Sequence, residues 1–423
     1  MRDRLGIQFF SPQPAPHGKG PHAVVQPRRE KPRSLAGATI LQLVPSLSDD
    51  AVGQAAVETA LTLLKAGARA IIAGSDGPLV GELRAFGGEW LPMATDTINP
   101  LRLNGNTRHL AQLIAGERID IVHAYCASAA RSALAATSRQ PVFLVTSFPD
   151  RLQASSSLHT YMQRPLALGD RVIAPSSYIS RAMMDRYRIP AERITVIPRA
   201  VDTATFSPAL VNVDRIAALR RAWGLLPHMR VVLVSGRIAP WNGQMSVIDA
   251  ARMIVANGNR NIAFVFVGED RSNPAYRHAL IKRAREHGVD TLLRLVGHAP
   301  DLPTALAAAD VIVVPSLEPP LTGRAAAEGQ AMGRPVVTTT VGALPENVLA
   351  PPRMREDLRT GWIVRPGNAN ELARATAAAL ALDATTAEAL GARARQFAEF
   401  MFSPSSVAEA IRGVYTSLLA RDR

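Results

Sequence analysis

The stretch that decides the fold is Val311-Ile312-Val313-Val314-Pro315-Ser316-Leu317-Glu318-Pro319-Pro320-Leu321-Thr322-Gly323-Arg324-Ala325-Ala326-Ala327-Glu328-Gly329-Gln330-Ala331-Met332-Gly333-Arg334-Pro335-Val336. It opens on four β-branched residues, a run suited to a strand buried on both faces. A polar, proline-rich loop follows and enters an alanine-rich helix over Gly323–Met332, before a second apolar run at Val336–Thr339. Strand, loop, helix and strand in that order are the unit of a parallel sheet. Such a helix packs close to the sheet and turns its first amides toward the loop, where its dipole favours anions. Glu328 lies in its second turn between Ala327 and Gly329. A carboxylate there is costly unless something bonds it: ribose hydroxyls are one such partner, a neighbouring arginine another.

The same alternation extends in both directions. Upstream in this half, strands are predicted at Val231–Ser235, Ile262–Val267 and Leu292–Val296, with Trp362–Val364 downstream. Helical patterns lie at Met245–Asn257 and Asn273–His287. Before the break at Phe206-Ser207-Pro208 an earlier series has strands at Thr39–Val44, Arg69–Ala73, Ile119–His123, Val142–Thr146, Arg171–Ala174 and Thr195–Ile197. Its helices include Gln54–Lys65, closed by Gly67, and Asn106–Ala115, closed by Gly116. Two series predict two Rossmann-like, doubly wound α/β domains facing across a cleft, with a hinge near residues 200–215. The terminal helices Thr386–Phe400 and Ser405–Leu419 have no strand after them and are expected on the outside. The division is a basic tail over 1–36, a first domain over 37–205, a second over 206–400, and a C-terminal helix over 401–423 packing back across the domains.

A chain of 423 residues suits two cores of about 200 residues. Apolar residues are 47% and charged residues 20%, and no apolar run reaches the roughly 18–20 residues that span a bilayer. Leu5–Phe10 is too short for a signal-peptide core, so export is not expected and a cytoplasmic location is. One cysteine, Cys126, excludes an internal disulfide and a cysteine-based zinc site. The net charge of +13 is almost wholly arginine, since lysine occurs only at positions 19, 31, 65 and 282. The arginines are scattered, aromatics are 5%, and no nucleic-acid motif is present, which argues against nucleic acid as a partner. The tail, with Pro27-Arg28-Arg29-Glu30-Lys31-Pro32-Arg33, reads as a solvated segment; peripheral contact with an anionic membrane is the other reading.

Two more clusters follow strand ends. In Ser235-Gly236-Arg237-Ile238-Ala239-Pro240-Trp241-Asn242-Gly243-Gln244 a glycine turn precedes an arginine and a helix start. Arg237 is either a fork for phosphate oxygens or a surface arginine in a turn. In Val267-Gly268-Glu269-Asp270 the carboxylates suit a metal or a ribose, but a helix N-cap beside a solvated neighbour is the preferred reading.

Taken together, these motifs resemble the family-four retaining glycosyltransferases of the GT-B fold, particularly a bacterial, polysaccharide- or lipopolysaccharide-type branch, over residues 38–420. The resemblance rests on Gly236-Arg237-Ile238 with Trp241-x-Gly243-Gln244, Val296-Gly297-His298 with Asp301, and Ala309-Asp310-Val311 with Val314-Pro315-Ser316. Gly323-Arg324-x3-Glu328, Ala331–Val336, Arg171–Ala174 and Ile197-Pro198-Arg199-x-Val201-Asp202 complete it. It implies transfer of a sugar, hexosyl in type, from a nucleotide-diphosphate donor to a cell-surface glycan or lipid-linked acceptor, with retention. No metal and no cofactor beyond the nucleotide sugar is implied. Arg237 would contact the diphosphate and Glu328 the ribose, while Gly236, Ser316 and Gly323 shape the donor pocket. His123 matches a cleft position of the first domain and joins Arg237 and Glu328 as a catalytic candidate.

Four positions depart from that pattern. Asp50 and Ala51 stand where the family carries a Gly-Gly pair, and Pro149 where a histidine follows Thr146-Ser147-Phe148. Asn242 replaces a lysine, and Pro320 replaces the glutamate eight residues before Glu328, with Glu318 two residues out of register. The substitutions open a second reading, a catalytically impaired glycosyltransferase-like protein acting as a binding or regulatory partner. An epimerase or phosphorylase on the same fold is a third.

Overall fold

Hydrophobic strands alternating with amphipathic helices give two parallel sheets, each covered on both faces. The computed structural model describes residues 34–148, 157–258, 260–269, 273–319 and 323–421. The calls on residues 1–33, Pro149, Asp270 and Pro320 lie outside the described residues.

The first domain runs β1 (Thr39–Ser46), α1 (Ala51–Lys65), β2 (Arg69–Ser75), α2 (Leu79–Ala85), β3 (Glu89–Pro92), α3 (Pro100–Gly116), β4 (Ile121–Ala124) and α4 (Ala127–Thr137). It continues with β5 (Phe143–Ser147), α5 (Ser157–Gln163), β6 (Arg171–Ala174), α6 (Ser177–Tyr187) and β7 (Ile194–Val196). The second domain runs α7 (Val213–Ala222), β8 (Arg230–Ser235), α8 (Gln244–Ala256), β9 (Ile262–Val267), α9 (Pro274–Glu286), β10 (Leu293–Gly297) and α10 (Leu302–Ala307). It ends β11 (Val311–Val314), α11 (Arg324–Ala331), β12 (Val336–Thr339), β13 (Gly361–Val364), α12 (Ala369–Leu380) and α13 (Ala384–Phe402), and then comes α14 (Pro404–Leu419).

The strand orders are β3-β2-β1-β4-β5-β6-β7 and β10-β9-β8-β11-β12-β13, with every pair parallel. The expected pair of doubly wound domains is therefore present. In each sheet the order reverses once, between β1 and β4 and between β8 and β11, and open α/β sheets bind ligands beyond the strand ends at such switch points.

Period-two alternation sends β8 side chains to both faces. Val231 and Leu233 join the cluster under α10 and α11, while Val232 and Val234 join the one under α8 and α12. The first sheet behaves alike, with Ile40 and Val44 on one face and Leu41 and Leu43 on the other. The terminal helices lie on outer faces yet supply core: Phe397 and Phe402 of α13 pack in the second domain, and Val407, Ile411, Val414, Tyr415 and Leu418 of α14 in the first. Where the chain recrosses, Val201 N donates to Phe402 O at 2.7 Å.

Three sequence expectations need correction. The edge strand β3 was not predicted, because Glu-Trp-Leu-Pro is short and only partly buried. Gly116 lies within α3, and the reversal falls two residues later at Arg118, with φ +50°. The helix after β9 is capped by Asn273, whose Oδ1 accepts from Tyr276 N at 3.1 Å, so Glu269 is not its cap.

Candidate functional site

The second domain's switch point is assembled from backbone in close approach. Gly236, at φ +140°, ends β8, and its N–H donates to Val267 O at 2.9 Å. A Cβ on Gly268 would stand 2.0 Å from Gly236 O, and one on Gly243, which has φ +75°, 2.0 Å from Pro315 O. Only glycine lets the loops after β8, β9 and β11 meet this closely. Leu317 N then donates to Trp241 O at 2.8 Å, tying the third loop to the first. Ser316 is buried, and its carbonyl accepts from Thr339 Oγ1 at 2.8 Å.

On this floor Arg237 is exposed, and among the described residues no partner holds its guanidinium. Its carbonyl accepts from Asn242 Nδ2 at 2.7 Å and from the buried Gln244 Nε2 at 2.8 Å. Asn242 thus folds back on the turn rather than offering a charge.

Gly323, at φ +58°, is the N-cap position of α11. Glu328 is buried on that helix, and its Oε1 accepts from Arg324 Nε at 2.6 Å, the i,i+4 neighbour. Burial pushes the Glu328 carboxyl above its ordinary range, and the Arg324 charge opposes the rise. The arginine partner named as an alternative is therefore present. The Arg324 side chain remains half exposed, and its charge is felt at Glu58 on α1 and at Asp202. It stands between the two halves of the molecule, a position that sequence spacing alone did not reveal.

The first domain contributes a different arrangement. Asp50 caps α1, its Oδ1 accepting from Val52 N and Gly53 N at 2.9 Å each and its Oδ2 from Ser48 Oγ at 2.6 Å. Partial burial resists its ionisation, but the bonds from Gly53, Ser48 and Val52 outweigh this and hold the carboxyl below its usual range. A built-in anion thus occupies the amides at the start of α1.

His123 needs the clearest revision. It is 2% exposed, with Nδ1 2.6 Å from Tyr415 Oη and Nε2 2.8 Å from Ser147 Oγ. Its ring lies 4.2 Å from that of Tyr125, centroid to centroid, and burial lowers its pKa to about 3. Tyr125 Oη in turn donates to Gln42 Oε1 at 2.8 Å, and Gln42 Nε2 to Ala56 O at 3.1 Å. With both nitrogens engaged and no face open, the neutral imidazole fastens α14 to the first sheet. It is not placed to touch a ligand in this structure. The signal missed in the sequence was the polar set Gln42, Tyr125 and Tyr415 on otherwise apolar faces.

Among the described residues no group of three His, Cys, Asp or Glu side chains is gathered to hold a metal, and no helix is long and apolar enough to cross a membrane.

Comparison with known proteins finds a family match in each half of the chain. Residues 52–205 match the model for Glycosyltransferase Family 4, and residues 229–381 match Glycosyl transferases group 1. A D-inositol 3-phosphate glycosyltransferase of Thermobispora bispora is 33% identical over 183 residues, 42% of this chain and 41% of that one. The chain therefore spans less than half the length of that curated relative. A glycosyltransferase from Rickettsia africae overlays 90% of this chain and 99% of its own at a TM-score of 0.78 and 24% identity. Anabaena Alr3699/HepE, solved with UDP, overlays 90% of this chain and 100% of its own at 0.71 and 19% identity. The family models, one on each domain, support a glycosyltransferase, and the structures that overlay nine-tenths of the chain support the GT-B fold.

Proposed function

We propose that the chain transfers a hexosyl group from a nucleotide-diphosphate donor to a hydroxyl of a cell-surface glycan or lipid-linked acceptor, with retention and without a metal. The observation that carries the reading is Glu328, a buried carboxylate on α11 that is paired, among the described residues, with the half-exposed Arg324. A ribose entering beside it would supply hydroxyl donors to a group whose burial otherwise raises its pKa. The exposed Arg237 suits the diphosphate. In the reaction the bond from the sugar's C1 to the β-phosphate oxygen breaks, and a bond to the acceptor oxygen forms on the same face. The acceptor proton leaves with the phosphate or to water. Charge builds on the departing diphosphate, so a fixed guanidinium beside it accelerates the step.

Donor binding is further supported by HepE, a neighbour in fold solved with UDP. For the acceptor, α3 begins at the same end of the first sheet as Asp50, and Ile98 and Leu101 there are 75% and 83% exposed, beside Arg102. Apolar and cationic groups side by side suit an amphipathic, lipid-linked acceptor, and suit peripheral contact with an anionic membrane from the cytoplasmic face.

Two observations favour the second reading, an impaired transferase that binds or regulates. Asn242 is committed to the Arg237 carbonyl, and Asp50 puts a negative charge at the start of α1. Incubation with UDP-, ADP- and GDP-sugars and a panel of glycan and lipid-linked acceptors separates the two. Release of one nucleoside diphosphate that depends on Arg237 and Glu328 supports the transferase. Binding without release in every combination supports the regulator.

A further inference from the structure

We propose that Glu346 is a positioning residue that docks the second domain onto the first at the start of α6 and so sets the spacing across the cleft. The role in transfer rests on the donor-binding reading above; the docking itself does not.

The argument begins with the unpaired amides of a helix start. In α6 the N-cap Ser176 takes Ile179 N on its Oγ at 3.1 Å, and its carbonyl takes Ser180 N at 2.9 Å. The amides of Ser177 and Tyr178 are left over. Both are taken by a residue of the other domain, 169 and 168 positions away in sequence: Ser177 N donates to Glu346 Oε2 at 2.8 Å and Tyr178 N to Oε1 at 2.7 Å. A bidentate carboxylate on two helix-start amides is charge-assisted and directional, and the helix dipole adds to it. The first domain thus carries a cap that only the second domain completes.

Glu346 is also tied firmly on its own side. It closes a short 3-10 turn, Leu344–Glu346, in which Leu344 is fully buried. The next residue, Asn347, packs on Gly323, its Nδ2 2.9 Å from where a Cβ there would stand. Gly342, just before the turn, leaves room for Pro319, whose Cβ would lie 2.9 Å from a side chain at that position. One compact turn therefore bears on the loop that carries Ser316 and Gly323 and on α6 of the opposite domain. When it docks, the donor-side loops are carried to a fixed distance from the first domain. Closure of this kind completes many active sites without any new group touching the reacting atoms.

Small-angle scattering from the ligand-free, full-length protein tests the docking directly, with Glu346→Ala, Glu346→Gln and Glu346→Asp beside the wild type. Circular dichroism melting confirms that each variant is folded. Glu346→Ala is expected to show a larger radius of gyration and a broader distance distribution, with Glu346→Gln between it and the wild type. Glu346→Asp keeps two acceptor oxygens and is expected to restore most of the compact form. In turnover assays Glu346→Ala is expected to lose tenfold or more in kcat/KM for the acceptor. Its nucleoside-diphosphate Kd should stay within about threefold of wild type, because Arg237 and Glu328 are untouched. A scattering curve for Glu346→Ala that superimposes on the wild type overturns the docking. An opened curve with unchanged kcat/KM overturns the positioning role. If the wild type turns over no donor, the transferase reading fails, while the scattering result still decides the docking.

Discussion

Replacing His123 by glutamine separates a structural from a catalytic role through pH. The folded imidazole titrates at about 3 because burial disfavours its charged form, against 6.5 for a free histidine. Between those values the unfolded chain holds a proton that the folded chain refuses. Stability from this group is therefore complete above pH 6.5 and declines as pH falls, by about 1.4 kcal/mol per pH unit. From pH 7.5 to pH 5 the decline reaches about 2 kcal/mol. Glutamine does not titrate and removes this contribution. It also gives up part of the bonding to Tyr415 and Ser147, which lowers stability at every pH by about 1–3 kcal/mol. Urea unfolding followed by circular dichroism, at pH 7.5, 6 and 5, is the assay. The variant is expected to lie below the wild type at pH 7.5 and to approach it by pH 5. Equal pH dependence in the two proteins refutes the buried neutral histidine. A variant with unchanged stability but abolished turnover refutes the structural assignment and restores a catalytic one.

Two further outcomes follow from the second domain. Gly243→Ala places a Cβ against Pro315 O in a left-handed turn and is expected to cost at least about 2 kcal/mol and to abolish nucleotide binding, read by thermal unfolding and calorimetry. Arg324→Met leaves the buried Glu328 without its cation, so its folded pKa rises further. A raised carboxyl favours the fold below its unfolded pKa and loses that advantage as pH rises through the folded one. The destabilisation should thus be larger at pH 8 than at pH 5, and a gap that shrinks with pH would contradict the pairing.

The fold was legible because alternation in the sequence reports burial directly. Val311–Val314 and Val231–Val234 are apolar throughout, as suits a strand covered on both faces, and both lie in central strands. The edge strand β3 was not legible, since Glu89–Pro92 is only four residues long, mixes Glu and Pro with two apolar residues and has no fully buried position, whereas the other edges, β7, β10 and β13, carry apolar runs. At the site, Gly236 and Arg237 follow β8, Ser316 follows β11, and Gly323 and Glu328 belong to the start of the next helix, α11, an order that the strand-loop-helix pattern already carries. What the sequence hid were pairings between distant segments. Tyr415 meets His123 across 292 positions, and Glu346 meets α6 across 168. No periodicity encodes such partners. A histidine after a strand reads alike whether it faces a cleft or a returning helix. Asp50 stands where the resembled family carries a glycine, and the structure adds a local reason for it, a cap on α1.

Calorimetric titration of UDP, GDP and ADP into the wild type, Arg237→Ala and Glu328→Ala tests the central claim most directly, that the cleft of the second domain is a nucleoside-diphosphate site. Selective binding of one nucleotide to the wild type is expected, weakened in both variants by tenfold or more. Binding of none of the three to the wild type, or equal binding to all three proteins, would contradict the account.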